Sequence, residues 1–262
     1  MDKLKITIVQ THLHWENIEK NLNHFSQLLD SLNPTDVVVL PEMFTTGFTM
    51  NAEKVAENLE GKAFKWLKET AQQKKAVVTG SIVFKEQNNF YNRLFWVQPD
   101  GTYQTYDKRH LFSFAGEDQH YTAGKNRLIT QYKGWRFCPL ICYDLRFPVF
   151  SRNFKNKTPL YDCLIYVANW PEVRVDAWST LLKARAIENQ CYVIGVNRIG
   201  NDQNNIQYSG HSVVIDPKGN TLSKTQPHQE SVETITIDLS TLNDFREKFP
   251  VANDSDDFEL IG

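Results

Sequence analysis

Nearly continuous apolar runs of strand length recur along this chain, separated by stretches of helical periodicity, and that alternation limits its fold more than any other feature. KITIVQT (5–11), VVVL (37–40), AVVTGSIVF (76–84), DCLIYVA (162–168) and CYVIGVN (191–197) are rich in β-branched residues, which suit a pleated, buried surface. Ile18, Leu22, Phe25 and Leu29 recur at helical spacing between the first two, giving a β-α-β opening. Further helices are predicted around Ala63–Gln73 and Val175–Asn189. NRLFWVQ and TYQTY flank Pro99-Asp100-Gly101, a turn sequence that makes them antiparallel neighbours. WRFCPLI, SGHSVVID with its turn Asp216-Pro217-Lys218-Gly219, and VETITIDL (232–239) complete the strands. Helix-separated strands mixed with hairpins imply an α/β protein with mixed sheets and helices over the outer faces.

The 262 residues, 41% of them hydrophobic, supply the core of a single domain, taken as residues 1–262. No linker-like stretch and no repeat divides it. Residues near 245–262, acidic from Asn253 to Glu259, read as a C-terminal tail, either mobile or placed at a subunit interface. A net charge of -2 gives no electrostatic reason to expect a nucleic acid or an anionic membrane as partner. MDKLKITIVQTHLHW lacks the apolar core of a signal peptide, and a run such as LIYVA (164–168) is far too short to span a bilayer. The four cysteines include no Cys-x-x-Cys pair, so neither a disulfide framework nor a zinc knuckle is expected. The expectation is a cytoplasmic protein with free thiols.

Three strands end in residues capable of chemistry. In VVVLPEMFTTGF, Pro41 removes a ladder donor and stops the strand, leaving Glu42 at a sheet's carboxyl end, where sites of α/β proteins gather. An isolated glutamate there is equally a solvated loop residue. In YQTYDKRHLFSFAGED, Lys108 sits among aromatic residues. Snorkelling is the ordinary fate of such a lysine, but desolvated beside a carboxylate it becomes a fixed cation for a developing oxyanion. Gly116-Glu117 supplies a second carboxylate. In CPLICYDLRFP, Cys142 ends its strand and Tyr143-Asp144-Leu145-Arg146 are expected to start a helix, whose N–H groups and positive end favour thiolate. Cys138, Cys163 and Cys191 lie within or at the start of apolar strands and read as core.

An unassisted thiol is only slightly ionised at neutral pH, so a nucleophilic Cys142 needs a base or a cation beside it. Glu42 serves as that base if it is buried rather than solvated. Lys108 and the backbone N–H of Tyr143 would then hold the oxygen of a tetrahedral intermediate. Together the three would attack a carbonyl or nitrile carbon.

LPEMF, YDKRHLF and ICYDLRFP, in that order, resemble the Glu, Lys and Cys motifs of the nitrilase superfamily of carbon-nitrogen hydrolases. Gly116-Glu117 is similar to that family's second glutamate, and ANWP (168–171) and RAIENQCYVIGVNRIG (185–200) to its later segments, so the resemblance covers most of the chain. It implies a four-layer α-β-β-α sandwich and subunits that associate as homodimers or larger homo-oligomers. It also implies Glu42 as general base, Lys108 as oxyanion stabiliser, Cys142 as nucleophile and Glu117 as a positioning acid, with no metal and no organic cofactor. Within the superfamily, LPEMFTTGF, YDKRHLFSFAGE, ICYDLRFPVFSRN and ANWP look most like bacterial omega-amidases. That resemblance implies hydrolysis of the side-chain amide of 2-oxoglutaramate or 2-oxosuccinamate to the 2-oxo dicarboxylate and ammonia, through a cysteine thioester.

Such a small-molecule substrate carries a carboxylate remote from its amide, which asks for a matching cation. Arg146, Arg174 and Arg198 are the candidates, Arg146 being read as bracing a subunit contact. Phe44, Phe114, Tyr143 and Trp170 adjoin the motifs and are expected to wall the pocket. An aliphatic amidase, a nitrilase or an N-carbamoyl amino acid hydrolase would share the same motifs. A Cys–His hydrolase using His110, His120 or His211 is disfavoured, because no spacing singles one histidine out. A non-catalytic dimeric binding protein would have no physical need for Glu42, Lys108, Glu117 and Cys142 together.

Overall fold

Period-two alternation decides which layer each strand side chain meets. In the computed structural model, which describes residues 2–259, Val37 and Val39 join the apolar cluster between two sheets, whereas Val38 joins a second cluster under helices. All three are fully buried, which is why this strand shows no polar alternation.

The first sheet has six strands, in spatial order Ser231–Asp238, Lys3–Gln10, Val37–Val39, Val77–Glu86, Asn89–Val97 and Tyr103–Asp107. Lys3–Gln10, Val37–Val39 and Val77–Glu86 run parallel, and the other pairings are antiparallel. The second sheet orders Val213–Ile215, Tyr192–Asn197, Cys163–Ala168, Trp135–Ile141 and Thr130–Tyr132, with its three middle strands parallel and its edges antiparallel. The sheets pack face to face; the rings of Trp96 and Phe137 meet across the interface with centroids 4.8 Å apart.

Helices Ile18–Asp30 and Lys62–Lys74 cover the outer face of the first sheet through Leu22, Phe25, Leu29, Phe64, Leu67 and Ala71. Asn17 caps the first of these, its side chain accepting the Lys20 N–H at 3.0 Å. Helix Val175–Asn189 buries Trp178, Leu182 and Ala186 against the second sheet. It lies so close that a Cβ on Gly195 would stand 2.5 Å from Leu182 Cδ1. Each large apolar side chain fully buried in these layers contributes roughly 1.5–3 kcal/mol. The result is the expected α-β-β-α sandwich.

One segment departs from the sequence reading. SGHSVVID is not one strand: Gln207–Ser209 and Val213–Ile215 are separated by Gly210 and His211, both at positive φ. At this break the Gln10 carboxamide fills the space that a Cβ on Gly210 would need and accepts the Ser212 N–H at 2.9 Å. The C-terminal region packs on the chain itself. Arg246, in helix Leu239–Lys248, binds Asp162 at 2.7 Å, and Asp257 accepts the Asn156 N–H at 2.8 Å. Residues 260–262, the end of the expected tail, lie outside the described residues. All four cysteines are free and buried. Among the described residues no helix is long and apolar enough to cross a membrane.

Candidate active site

The ends of strands from both sheets converge at one cavity. Glu42 follows Val37–Val39 and Lys108 follows Tyr103–Asp107, both in the first sheet; Cys142 follows Trp135–Ile141 and Asn169 follows Cys163–Ala168, both in the second. Glu42, Lys108 and Glu117 are almost completely shielded from solvent. Lys108 Nζ donates to Glu42 Oε1 at 2.9 Å and to both oxygens of Glu117 at 3.0 and 2.8 Å. The Phe48 ring lies 5.1 Å from the same ammonium. Burial by itself would discharge this lysine, but Glu117 and Glu42 outweigh it and hold the ammonium above its ordinary value.

Backbone and amide donors fix the two glutamates. Asn92 Nδ2 donates to Glu42 Oε1 at 2.7 Å and to Glu117 Oε1 at 3.3 Å. Glu42 Oε2 accepts the Asn169 N–H at 2.8 Å, and Glu117 Oε2 accepts the Phe112 N–H at 2.6 Å. Burial raises the Glu117 carboxyl above the usual carboxylate range despite the pull of Lys108, and the neighbouring Glu42 adds to the rise. One cation thus bridges two buried carboxyl groups.

Cys142 sits with φ 44°, in the left-handed region that a side-chain-bearing residue occupies at a cost of about 1–3 kcal/mol. Its Sγ lies 3.9 Å from the Asn169 carbonyl oxygen. The sequence led to a helix after Cys142 and a thiolate favoured by its dipole; the structure corrects both. Residues Cys142–Arg146 make a single short 3-10 turn, ended at Phe147 and Pro148, too short to build an appreciable dipole. Burial and the Glu42 charge push the thiol well above its ordinary range, with Lys108 opposing only in part. The resting group is therefore a protonated thiol beside a carboxylate. Tyr143 is the second residue of that turn, where an N–H has no partner within the helix.

The cavity holds about 350 Å³ and is lined by Lys108, Cys142, Tyr143, Asn169 and Trp170 among others. Phe44 and Phe114, expected in its wall, are elsewhere. The positive φ of Met43 turns the chain so that Phe44 packs in the core against Phe25 and Trp66, and Phe114 is 86% exposed. Phe48 and Phe112 take the wall positions. Arg146 and Arg174 also line the cavity, stacked over Trp170 and Phe112 respectively. Arg198 is buried behind it, donating to the backbone oxygens of Ile199 and Asn201. His110 faces Asp144 rather than Cys142, with Nδ1 2.7 Å from Oδ1.

Sequence reasoning missed Asn92 and gave Asn169 no role. The available signal for Asn92 was a carboxamide inside the strand NFYNRLFWV, most of whose residues are large and apolar, since a buried amide needs partners.

The profile of the carbon-nitrogen hydrolase family matches residues 5–247. An omega-amidase YafV from Yersinia enterocolitica is 47% identical over 263 residues, covering the whole of both chains. A 2-oxoglutaramate amidase from Bacillus subtilis is 36% identical over 84% of each chain. In three dimensions, a CN-hydrolase superfamily protein from Xanthomonas campestris, solved with an arsenic adduct in its active site, superposes with a TM-score of 0.96 at 44% identity, over 99% of this chain and 100% of that one. The convergence of Glu42, Lys108 and Cys142 at one cavity, the sandwich that carries them and these similarities lead to one assignment: the chain belongs to the carbon-nitrogen hydrolase family.

Proposed function

We propose that this chain is an omega-amidase that releases ammonia from the terminal amide of 2-oxoglutaramate or 2-oxosuccinamate, with Cys142 as nucleophile. The observation that carries the reading is the buried Glu42–Lys108–Glu117 array against a buried thiol, at a cavity whose wall also holds Arg146 and Arg174. The names of the Yersinia and Bacillus relatives supply the substrate class. Two arginines of the wall, stacked on Trp170 and Phe112, suit a small amide whose far end is anionic.

Glu42 takes the Sγ proton as sulfur attacks the amide carbon. The developing oxyanion is held by the Lys108 ammonium and the Tyr143 N–H, each such donor being worth about a hundredfold to a thousandfold in rate. The proton then passes from Glu42 to the departing nitrogen, ammonia leaves, and a Cys142 thioester remains. Water deprotonated by Glu42 hydrolyses that thioester, the proton returning to the sulfur as the carboxylate product departs. Glu117 keeps Lys108 aligned throughout. Small size favours this substrate class too, since the cavity is at the low end of the range for small-molecule sites.

The test is ammonia release from a panel of 2-oxoglutaramate, glutamine, an aliphatic nitrile and an N-carbamoyl amino acid. 2-Oxoglutaramate is expected to give the highest kcat/KM, and Cys142→Ala to abolish turnover without unfolding the chain. Preference for the nitrile or the carbamoyl compound would overturn the substrate class. Turnover retained by Cys142→Ala would overturn the nucleophile.

A further inference from the structure

Away from the cavity, three donor side chains from three elements meet where the first strand ends. His12 lies just beyond Lys3–Gln10, and His24 lies on helix Ile18–Asp30. Glu230 immediately precedes Ser231–Asp238, whose register sets Ser231 opposite Gln10 and so brings Glu230 to the Thr11–His12 segment. His24 Nε2 is 3.1 Å from Glu230 Oε2, and His12 Nδ1 is 3.5 Å from the same oxygen. One ligand atom from each of the three residues falls within 4.8 Å of the others.

These separations have a chemical meaning. Nitrogen and oxygen ligands about 2.0–2.1 Å from a tetrahedral Zn²⁺ stand about 3.3 Å from one another. Two edges of the triangle already bracket that length, and the third lies within 4.8 Å. The His12 and His24 rings are 4.4 Å apart and tilted, and His14 lies 5.0 Å from His12. The cluster is partly exposed, which leaves an entry path.

We propose that His12, His24 and Glu230 bind a divalent transition metal of the Zn²⁺ class, with water completing the tetrahedron. The donor set of two imidazoles and one carboxylate is borderline in softness and suits that class rather than Mg²⁺ or Ca²⁺. Arg198 contributes a nearby positive charge, so the Glu230 carboxylate is the essential counter-charge. The bound ion clamps the first strand, the first helix and the last strand together. It thereby steadies Trp15 in the cavity wall and Glu16, which accepts hydrogen bonds from the wall residues Thr49 and Asn51 at 2.6 Å each. None of the three ligands lines the cavity, and the ion takes no part in the bond-making steps.

Titration of the intact chain with Co²⁺ tests this. The expected result is one saturable equivalent with the visible spectrum of tetrahedral nitrogen–oxygen ligation, without a thiolate charge-transfer band, displaced by Zn²⁺. His24→Ala is expected to weaken binding at least about tenfold. Glu230→Gln keeps an oxygen to accept from the Thr11 hydroxyl, as Glu230 Oε2 does at 2.5 Å, and to face His24, but loses the charge; it is expected to weaken binding more. Zn²⁺ should raise the Tm of the wild type but not that of Glu230→Gln, and metal-free ammonia release should be similar in all three proteins. No saturable binding, or binding unchanged in both variants, overturns the site. A charge-transfer band that disappears in Cys142→Ser does so as well, because it places the metal on the thiol.

Discussion

At Cys142 the protein holds its sulfur as a thiol, and the activating charge sits on a neighbour. The group is raised by burial first and then by the Glu42 carboxylate, so it stays protonated through the neutral range and ionises only as pH rises far beyond it. Alkylation of the wild-type thiol by iodoacetamide should therefore keep climbing with pH rather than level off near neutrality. Glu42→Gln removes both the base and the charge that raises the thiol. Turnover is expected to fall by about a hundredfold to ten-thousandfold, while the pH profile of alkylation moves to lower pH. The two assays going in opposite directions separates a base from a merely structural glutamate; an alkylation profile that moves upward or stays put would sink the assignment. Glu42, Lys108 and Cys142 could be picked out in the sequence as residues at the ends of strand-like segments, apolar before Glu42 and Cys142 and aromatic-rich before Lys108. The protonation state of the thiol was not, because it depends on how deeply the second sheet buries the sulfur and on a carboxylate a hundred residues earlier in the chain. Phe44 shows the same limit. Two residues from Glu42 in sequence, it is turned into the core by the left-handed backbone at Met43.

Strand ends are joined to one another by Asp144, a fully buried carboxylate just beyond Cys142. It accepts the Tyr106 hydroxyl at 2.7 Å from the edge strand of the first sheet and the Ile141 N–H at 2.9 Å from the second sheet. It also accepts the His110 N–H at 3.1 Å and faces His110 Nδ1 at 2.7 Å. A carboxylate can only accept from these donors, so His110 carries its proton on Nδ1, and its ring is stacked on Phe147 with centroids 3.8 Å apart. Asp144→Asn puts an NH₂ where one of the donors already points. The expected cost is about 1–3 kcal/mol of stability for the donor left without a partner, read as a fall in the urea midpoint. Ammonia release should show a lower kcat with KM nearly unchanged, since the substitution shifts the Lys108 loop against Cys142 and touches neither arginine of the cavity. An increase in KM alone would contradict this. Nothing in the spacing of Tyr106, His110 and Asp144 announces their contact, because local periodicity reports which face is buried and is silent on which loop meets which. The elements themselves were readable for the converse reason. Strands buried on both faces need unbroken apolar runs, and SGHSVVID failed only at a break that lies against the Gln10 side chain, over two hundred residues away.

Across the whole molecule, the proposed catalytic group is divided between two sheets: Glu42 and Lys108 on the first, Cys142 and Asn169 on the second. Neither sheet carries a complete set, so the packing between them sets the distance from base to sulfur. That separates two kinds of core substitution that a stability measurement alone would treat alike. Phe137 lies between the sheets against Trp96, whereas Phe64 lies between the first sheet and its outer helix, against Phe95. Replacing either ring by leucine removes buried volume and is expected to cost on the order of 1–3 kcal/mol, short of the 3–5 kcal/mol of a full Phe→Ala truncation. Only Phe137→Leu lets one sheet settle against the other. A displacement near 1 Å at the reacting atoms costs about a hundredfold in rate, so a shift of a few tenths of an ångström should lower kcat by several-fold to tenfold. Both variants are to be assayed well below their Tm, with the active fraction counted by labelling of Cys142. Phe137→Leu is expected to lose kcat per labelled site, and Phe64→Leu to retain it at a matched loss of stability. Equal kcat per site in the two variants would mean that the sheets hold their relative position without help from this interface.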